Sequence, residues 1–328
     1  MRFNRLDLNL LVALDALLSE KSITRASGRL NLSQSATSGV LARLRDYFKD
    51  DLLKPSGRNL ILTPLALSLM EPVRDVLLQI QRTIEIKREF DPATAVREFH
   101  IVASDFVSTV LLGELGRRIC VETPGISIDI SLSSAIFAER LERGEVDLVI
   151  LPRKYMSASQ PMQILFEETY TCVVWSDNEL VGDRLSPEEY MKLGHVSSRF
   201  GTAQTSFEEH FLKENGYDRR IEVSTPNFTS LPHFVIGTNR IATMHTRLAR
   251  MLARYYPIRL VEPPIAFPKI EMCMQWNRFL ENDPSHQWLR TLLTDIASCE
   301  PGSTDAAASN DSALAAEVHA LPRMRMSA

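Results

Sequence analysis

Apolar residues near the start of the chain recur at the spacing of helices that bury one face. Leu10, Leu14, Leu17 and Leu18 form one such stripe behind Asp7, whose carboxylate can cap a helix start. Ser22 can cap a second helix, with Ile23, Ala26 and Leu30 on one face. Asn31 tolerates the left-handed backbone of a helix end, and Leu32 is expected to plug the turn that follows. Ser33 then opens a third helix, whose Ala36, Val40, Leu44 and Phe48, with Leu41 beside them, are the expected buried stripe. Residues 52–62 read as strand, turn, strand. Thr63-Pro64 marks a further helix start, since proline suits a first helical position. Its stripe of Leu69, Val73, Val76, Leu77, Ile80 and Ile84 predicts a helix to about residue 88, kinked or broken at Pro72. A long apolar stripe outside a globular core needs a partner, and a second copy is the economical one.

The pattern changes from Arg97. Strands are expected at 99–103, 126–132, 146–151, 169–175, 195–198, 221–224 and 241–244. Helices are expected at 107–121, 135–143, 187–193, 206–215, 230–236 and 284–298. Such alternation predicts a doubly wound α/β body. Two lobes would meet near 162–170 and again near 265–275. The organisation predicted is a head over 1–62, a linker and dimerisation helix over 63–90, a body over 91–299, and an Ala/Ser-rich tail over 300–328 expected to be disordered.

Charge separates these regions. Residues 1–62 hold ten Lys or Arg against six Asp or Glu, whereas the remainder holds 27 against 35. A basic head on an acidic body suits local nucleic-acid contact. The third helix fits that use. By helical geometry Gln34, Ser38, Ala42, Arg45 and Lys49 share the face opposite the apolar stripe, with Ser35 at its edge. Small polar side chains that can read base edges come first, and basic ones that can hold phosphates come last. Gln34 suits adenine, and Ser35 and Ser38 can donate or accept. Lys54 and Arg58 fall on or near the tip of the strand-turn-strand wing, where Arg58 can enter a minor groove or hold a phosphate. The candidate DNA contacts are Ser22, Thr24, Arg25, Ser33, Gln34, Ser35, Ser38, Arg45, Lys49, Lys54 and Arg58.

Enzymatic chemistry has no foothold in the sequence. GxSxG, a P-loop, GxGxxG after a strand and HExxH are all missing, and the seven histidines show no paired ligand spacing. No catalytic residue, metal or cofactor is expected. The four cysteines lie far apart, and no run approaches the roughly 20 apolar residues of a membrane span. With no secretory signal at its start, the chain is expected to be cytoplasmic, with reduced cysteines and no membrane partner.

At LDLNLLVALDALLSEKSITRASGRLNLSQSATSGVLARLRDYFKDDLL and RNLILTPLA the sequence resembles the LysR-type transcriptional regulators, densely over about the first 70 residues and as pattern beyond, including LERGEVDLVILP. The opening MRFNRLDLNLLVALDALLSEKSITRAS also looks like the branch of nodulation-gene activators, the NodD type. So do FDP at 90–92, SDF at 104–106, ILP…MS at 150–157 and YMKLGHV at 190–196. Two departures bear on the site: Ser35 stands where the family often has proline, and Pro55 where many members carry a wing arginine.

The resemblance implies a winged helix-turn-helix, a dimerising linker helix and a two-lobed α/β effector-binding domain of the periplasmic-binding-protein type. It also implies a homodimer or homotetramer on double-stranded promoter DNA, acting with RNA polymerase, with an effector in the cleft. The NodD-type likeness implies an activator answering a flavonoid or other phenolic inducer. A regulator of aromatic catabolism or other metabolism is the alternative, ahead of a small-molecule-binding module or an α/β enzyme. Because open α/β sheets bind ligands at the carboxyl ends of their strands, the candidate effector residues are Ser104, Asp105, Phe106, Ser198, Arg199, Phe200, Met244 and His245. Phe106 and Phe200 could sandwich an aromatic ring, and Ser104 and Arg199 could hold hydroxyl or carboxylate groups.

Overall fold

The computed structural model describes residues 2–3, 6–56, 59–85, 90–132, 136–200 and 204–299. The chain divides into two compact units between Glu89 and Phe90.

In the first unit, β1 (Arg2–Phe3) pairs with β2 (Leu6–Asp7). The Asp7 carboxylate accepts from Asn9 N, 3.1 Å, at the start of α1 (Asn9–Glu20), whose Leu10, Leu14, Leu17 and Leu18 are all buried. Helix α2 (Ile23–Leu30) starts under the Ser22 hydroxyl and ends at Asn31 with φ 52°. Ser33 Oγ accepts from Ala36 N at the head of α3 (Gln34–Phe48). The wing is β3 (Leu53–Ser56) against antiparallel β4 (Asn59–Leu62). Then α4 (Pro64–Glu85) runs under a Thr63 cap, Thr63 being held in turn by the Asp50 carboxylate at 2.6 Å.

Three expectations need correction here. The buried face of α3 is Thr37, Leu41 and Leu44, with Val40 and Phe48 half-buried, and Ala36 is exposed. Thr37 can enter the core because its hydroxyl donates to the Ser33 carbonyl, 3.0 Å. Leu32 does not plug the turn; it is 44% exposed. Helix α4 is not broken at Pro72 but runs through it as one helix. Ala66, Val73, Leu69, Met70 and Leu77 pack into the unit's own core, while Leu67, Val76 and Ile80 are exposed. The wing residue Arg58 and the 300–328 tail lie outside the described residues.

The second unit is the two-lobed α/β body expected, with a mixed sheet in each lobe. Lobe I contains β5 (Arg97–Ala103), α5 (Asp105–Val107), a π turn (Ser108–Leu112), α6 (Gly113–Glu122), β6 (Ile126–Leu132), α7 (Phe137–Glu142), β7 (Leu148–Pro152), a 3-10 turn (Arg153–Tyr155) and β8 (Met162–Glu168). The chain crosses to lobe II through Thr169 alone. There it forms β9 (Tyr170–Trp175), α8 (Pro187–Lys192), β10 (His195–Phe200), β11 (Gln204–Thr205), α9 (Phe207–Glu214), β12 (Ile221–Thr225), α10 (Leu231–Val235), β13 (Ile241–His245), α11 (Thr246–Leu252) and β14 (Ile258–Val261). It returns through residues 262–269 to β15 (Ile270–Gln275), a 3-10 turn (Arg278–Leu280) and α12 (Pro284–Ser298), which packs back on lobe I.

Strand order in lobe I is β6-β5-β7-β15-β8. The first three strands are parallel, and β15 runs antiparallel to both neighbours. Lobe II has β10-β13-β9-β14 with β12 and β11 on β10, and β9 antiparallel to β13 and β14. The antiparallel strands are the ones joined by the two crossovers: lobe II is one continuous stretch from β9 to β14, and lobe I is completed by β15 and α12 from the chain beyond it. One continuous core runs from Phe99 in lobe I through Phe166 and Tyr170 to Met244 and Leu248 in lobe II.

Candidate DNA-binding face and effector seam

In the first unit the outward arc of α3 is centred on Ser35, Gly39, Ala42 and Asp46, all exposed, with Gln34, Ser38 and Arg43 on its flanks. The local bonds leave some of these groups free and occupy others. Ser33 Oγ and Ser35 Oγ are 3.0 Å apart, and Ser38 Oγ donates back to the Gln34 carbonyl, 2.9 Å. The side chains of Gln34 and Arg43 have no partner among the described residues. Open space surrounds the Gly39 Cα, so this side of the helix is thin enough for close approach.

The cations divide by task. Arg45 is turned inward: its Nε donates to the Asp51 carbonyl, 2.8 Å, and its Nη2 to the Leu53 carbonyl, 2.7 Å, tying α3 to the first wing strand. That use was not visible in its helical phase. Arg25 is anchored on Glu20 through its carboxylate and its carbonyl. Lys49 terminates α3 at φ 52° and pairs with Asp46, 2.6 Å, while Lys54 lies 3.7 Å from Asp51. Both lysines are exposed, and exposed pairs exchange readily for a phosphate. Thr24 is exposed at the first turn of α2, and Ser22 spends its hydroxyl on the Arg25 amide.

In the second unit the carboxyl ends of β5, β7, β10 and β13 come together at the seam between the lobes. Ser104 caps α5, its Oγ accepting from Val107 N. Asp105 Oδ2 accepts from Thr229 N of lobe II, 2.8 Å, a direct hydrogen bond across the seam. The Phe106 ring stacks on the His245 imidazole with centroids 4.0 Å apart and planes 5° from parallel, and it meets Phe166 edge-on. One face of Phe106 is therefore taken by the protein itself, which corrects its expected role as half of a ligand sandwich. Met244 and His245 are buried in the same core, flanked by Phe228 and Tyr170, so neither offers a free surface. Burial alone pushes the His245 pKa down to about 3, and the ring is neutral. Arg199 is exposed, with no partner among the described residues. Ser198 is buried with its Oγ unpartnered, and nothing is described of the Phe200 side chain.

Sequence reasoning missed the polar groups that join these residues. Glu168 ends β8, where it accepts from Thr169 N, 2.8 Å, and faces Arg247 Nε, 3.8 Å. The Arg247 guanidinium lies over the Phe166 ring, 4.4 Å, and Lys154 of lobe I lies over Phe207 of lobe II, 4.2 Å. Tyr170 OH, Glu168 Oε2 and Glu208 Oε2 are buried without hydrogen-bond partners. Burial raises the pKa of both carboxyls, and it raises that of Tyr170 well above the usual phenol value. A buried polar atom without a partner is costly, so a row of them marks a place where a ligand or water is wanted. The only cue in sequence was the acidic residue at a strand end, which is common in loops.

A capped helix-turn-helix with a wing, joined through a long helix to a two-lobed α/β body, defines a ligand-responsive DNA-binding regulator. The helix-turn-helix part matches the family of bacterial regulatory helix-turn-helix proteins, lysR family, over residues 8–67, and the body matches the LysR substrate binding domain over residues 93–298. The chain belongs to the lysR family. Its curated relatives include Nodulation protein D of Bradyrhizobium sp. (strain ANU 289), 44% identical over 299 residues, covering 91% of this chain and 88% of that one. Nodulation protein D 1 of Bradyrhizobium elkanii is 43% identical over 306 residues, covering 93% and 97%. Among solved structures, a probable transcriptional regulator, PA0477 from Pseudomonas aeruginosa, superposes with TM-score 0.60 at 24% identity, covering 88% and 96%, a likeness of fold. The family is one of DNA-binding regulators, not enzymes. Among the described residues no helix is long and apolar enough to cross a membrane and no cluster of metal-binding side chains occurs.

Proposed function

We propose that this protein activates nodulation-type genes in response to a flavonoid or other phenolic inducer bound at the interlobe seam. The observation that carries the reading is similarity to nodulation protein D at 41–44% identity through both units, head and body alike. Residues 1–62 serve as the DNA-binding domain, 63–90 as the linker and dimerisation helix, and 91–299 as the effector domain. The exposed Leu67, Val76 and Ile80 of α4 support pairing with a second copy, as a homodimer or a homotetramer. Ser33, Gln34, Ser35 and Ser38 face the base edges, Thr24, Arg25 and Lys49 hold the backbone, and Lys54 and Arg58 carry the wing's contacts. RNA polymerase is the partner recruited.

The seam supports a neutral, hydroxyl-bearing inducer. Glu168 and Glu208 hold their protons more tightly than exposed carboxyls do, and Arg247 already faces Glu168. Phenolic hydroxyls can donate to such oxygens and accept from Tyr170. Regulation is then a shift between lobe arrangements that changes the spacing of two heads and the bend of the DNA between them. Footprinting on the DNA upstream of the regulated genes, with and without a panel of phenolics, tests this. Protection of half-sites about one helical turn or a multiple apart, altered by one phenolic, is expected. Protection that responds instead to an aromatic-catabolism intermediate, and to no flavonoid, would assign the chain to the alternative branch.

A further inference from the structure

The lobe II sheet has a second polar recess at the end opposite the seam, where β10, β12 and β13 begin. It is a surface pocket of about 290 Å³ lined by Lys192, Gly194, Arg220, Glu222, Asn239 and Arg240, with Leu180, Leu193 and Thr238 completing the wall. Three cations face one carboxylate. Glu222 bridges two of them, Oε1 to Arg220 Nη2 at 3.1 Å and Oε2 to Arg240 Nε at 2.8 Å. Arg240 Nη1 also reaches the Phe234 carbonyl, 3.4 Å, which fixes that guanidinium from a second side. The bridge needs a glycine below it: a Cβ at Gly194 would lie 2.3 Å from the Glu222 carboxyl carbon. Lys192 has no ion pair among the described residues.

The arrangement is pre-set for an anion. Each guanidinium carries five N–H donors in a fixed fork, and the Glu222 bridge occupies one on Arg220. A fork whose orientation is already held loses little freedom on binding, and planar two-toothed pairing with phosphate or carboxylate is its strongest interaction. We propose that this recess binds a small organic dianion, a phosphate monoester or a dicarboxylate, and that Lys192, Arg220 and Arg240 hold it. The site is separate from the interlobe seam and stands whether or not the inducer is phenolic. Its strands are those that reach the seam at Ser198 and His245, so a ligand here loads the same sheet from its other end.

Titration calorimetry on the full-length protein at fixed ionic strength tests this, with inorganic phosphate, glucose 6-phosphate and succinate as probes. Saturable binding of one probe class, one per chain, is expected. Arg220→Ala should weaken it by about tenfold or more, because a charge-assisted hydrogen bond is lost. Lys192→Ala should weaken it further, and the remote Arg254→Ala should leave it unchanged. Saturation by the phosphates alone identifies a phosphate ligand, and saturation by succinate alone a carboxylate. No saturable heat at about millimolar probe, or equal affinity in wild type and in a folded Arg220→Ala/Lys192→Ala variant, overturns the site. The variants' thermal melts show whether they are folded, and both side chains are exposed enough that they should match wild type.

Discussion

The two units carry their candidate ligand-facing groups in opposite ways. On the head, Gln34, Ser35, Ser38, Lys49 and Lys54 stand on the surface, and their local bonds are short-range. In the body, Phe106, Ser198, Met244 and His245 are part of the core, and the polar atoms beside them are buried. A DNA groove comes to the protein from outside, so a reading face can be assembled on a finished fold. A small molecule must be enclosed, so the residues near it also hold the lobes together. Substitutions in the head should therefore separate binding from stability, and substitutions at the seam should not.

The largest effect should come from Phe106→Ala. The ring is buried, stacked on His245 and edge-on to Phe166. Removing it should cost about 3–5 kcal/mol, the range for large aromatics truncated in a core. Denaturant unfolding followed by Trp276 and Trp288 would measure it. A loss under about 1 kcal/mol would place the ring in a site that can collapse or is open, and the contrast with the head would fail.

Acid should act next, through the buried histidines of the body. Burial pushes the pKa of His195 and His286 down to about 4 and that of His245 to about 3. Their pKa in the unfolded chain is about 6.5. Between those values the unfolded state takes up protons that the folded state refuses, so stability rises with pH and is lost as pH falls below about 6.5. Each imidazole steepens that loss by up to about 1.4 kcal/mol per pH unit. His245→Phe, which keeps a ring against Phe106, should flatten the limb between about pH 6 and pH 4. An unchanged slope would mean that His245 charges in place.

Much of the head could be read in sequence because its signals are local. Ser22, Asn31, Ser33 and Asp7 cap within a few residues of themselves, and the structure has each of those bonds or backbone angles. The phase of α3 was misread because a four-residue count drifts off a 3.6-residue helix, and because a threonine with its hydroxyl satisfied can be core. In the body, β8, β14 and β15 escaped notice. Their partners lie far along the chain, and β15 (IEMCMQ) has one β-branched residue. Those strands make the crossovers, so the seam's chemistry at Glu168 and Tyr170 could not be placed without them. Arg45 was legible as a basic residue on a helix and not as a tie to two carbonyls six and eight residues on.

Gln34 sharpens the comparison from the binding side. Gln34→Ala should change stability by no more than about 0.5 kcal/mol, as for an exposed group without partners. It should cost about 1–3 kcal/mol on the cognate site and little on random DNA. Fluorescence anisotropy on both DNAs at one salt concentration decides it. Equal losses on the two would remove the base-reading role.

The finest test sets two cations of the head against each other. Lys54 is exposed on the wing, and its 3.7 Å pairing with Asp51 is loose. If it holds a phosphate, Lys54→Ala should flatten the slope of log K against log salt by about 0.9 and leave the melting temperature unchanged. Arg45 predicts the reverse pattern. Arg45→Ala removes the donors to Asp51 and Leu53, so it should destabilise the head by about 1–3 kcal/mol while the salt slope of the folded fraction stays at its wild-type value. If Arg45→Ala flattened the slope at unchanged stability, its guanidinium would be a phosphate contact that trades its carbonyl partners for DNA. The division between structural and reading groups would then be made by the DNA, and not by the fold.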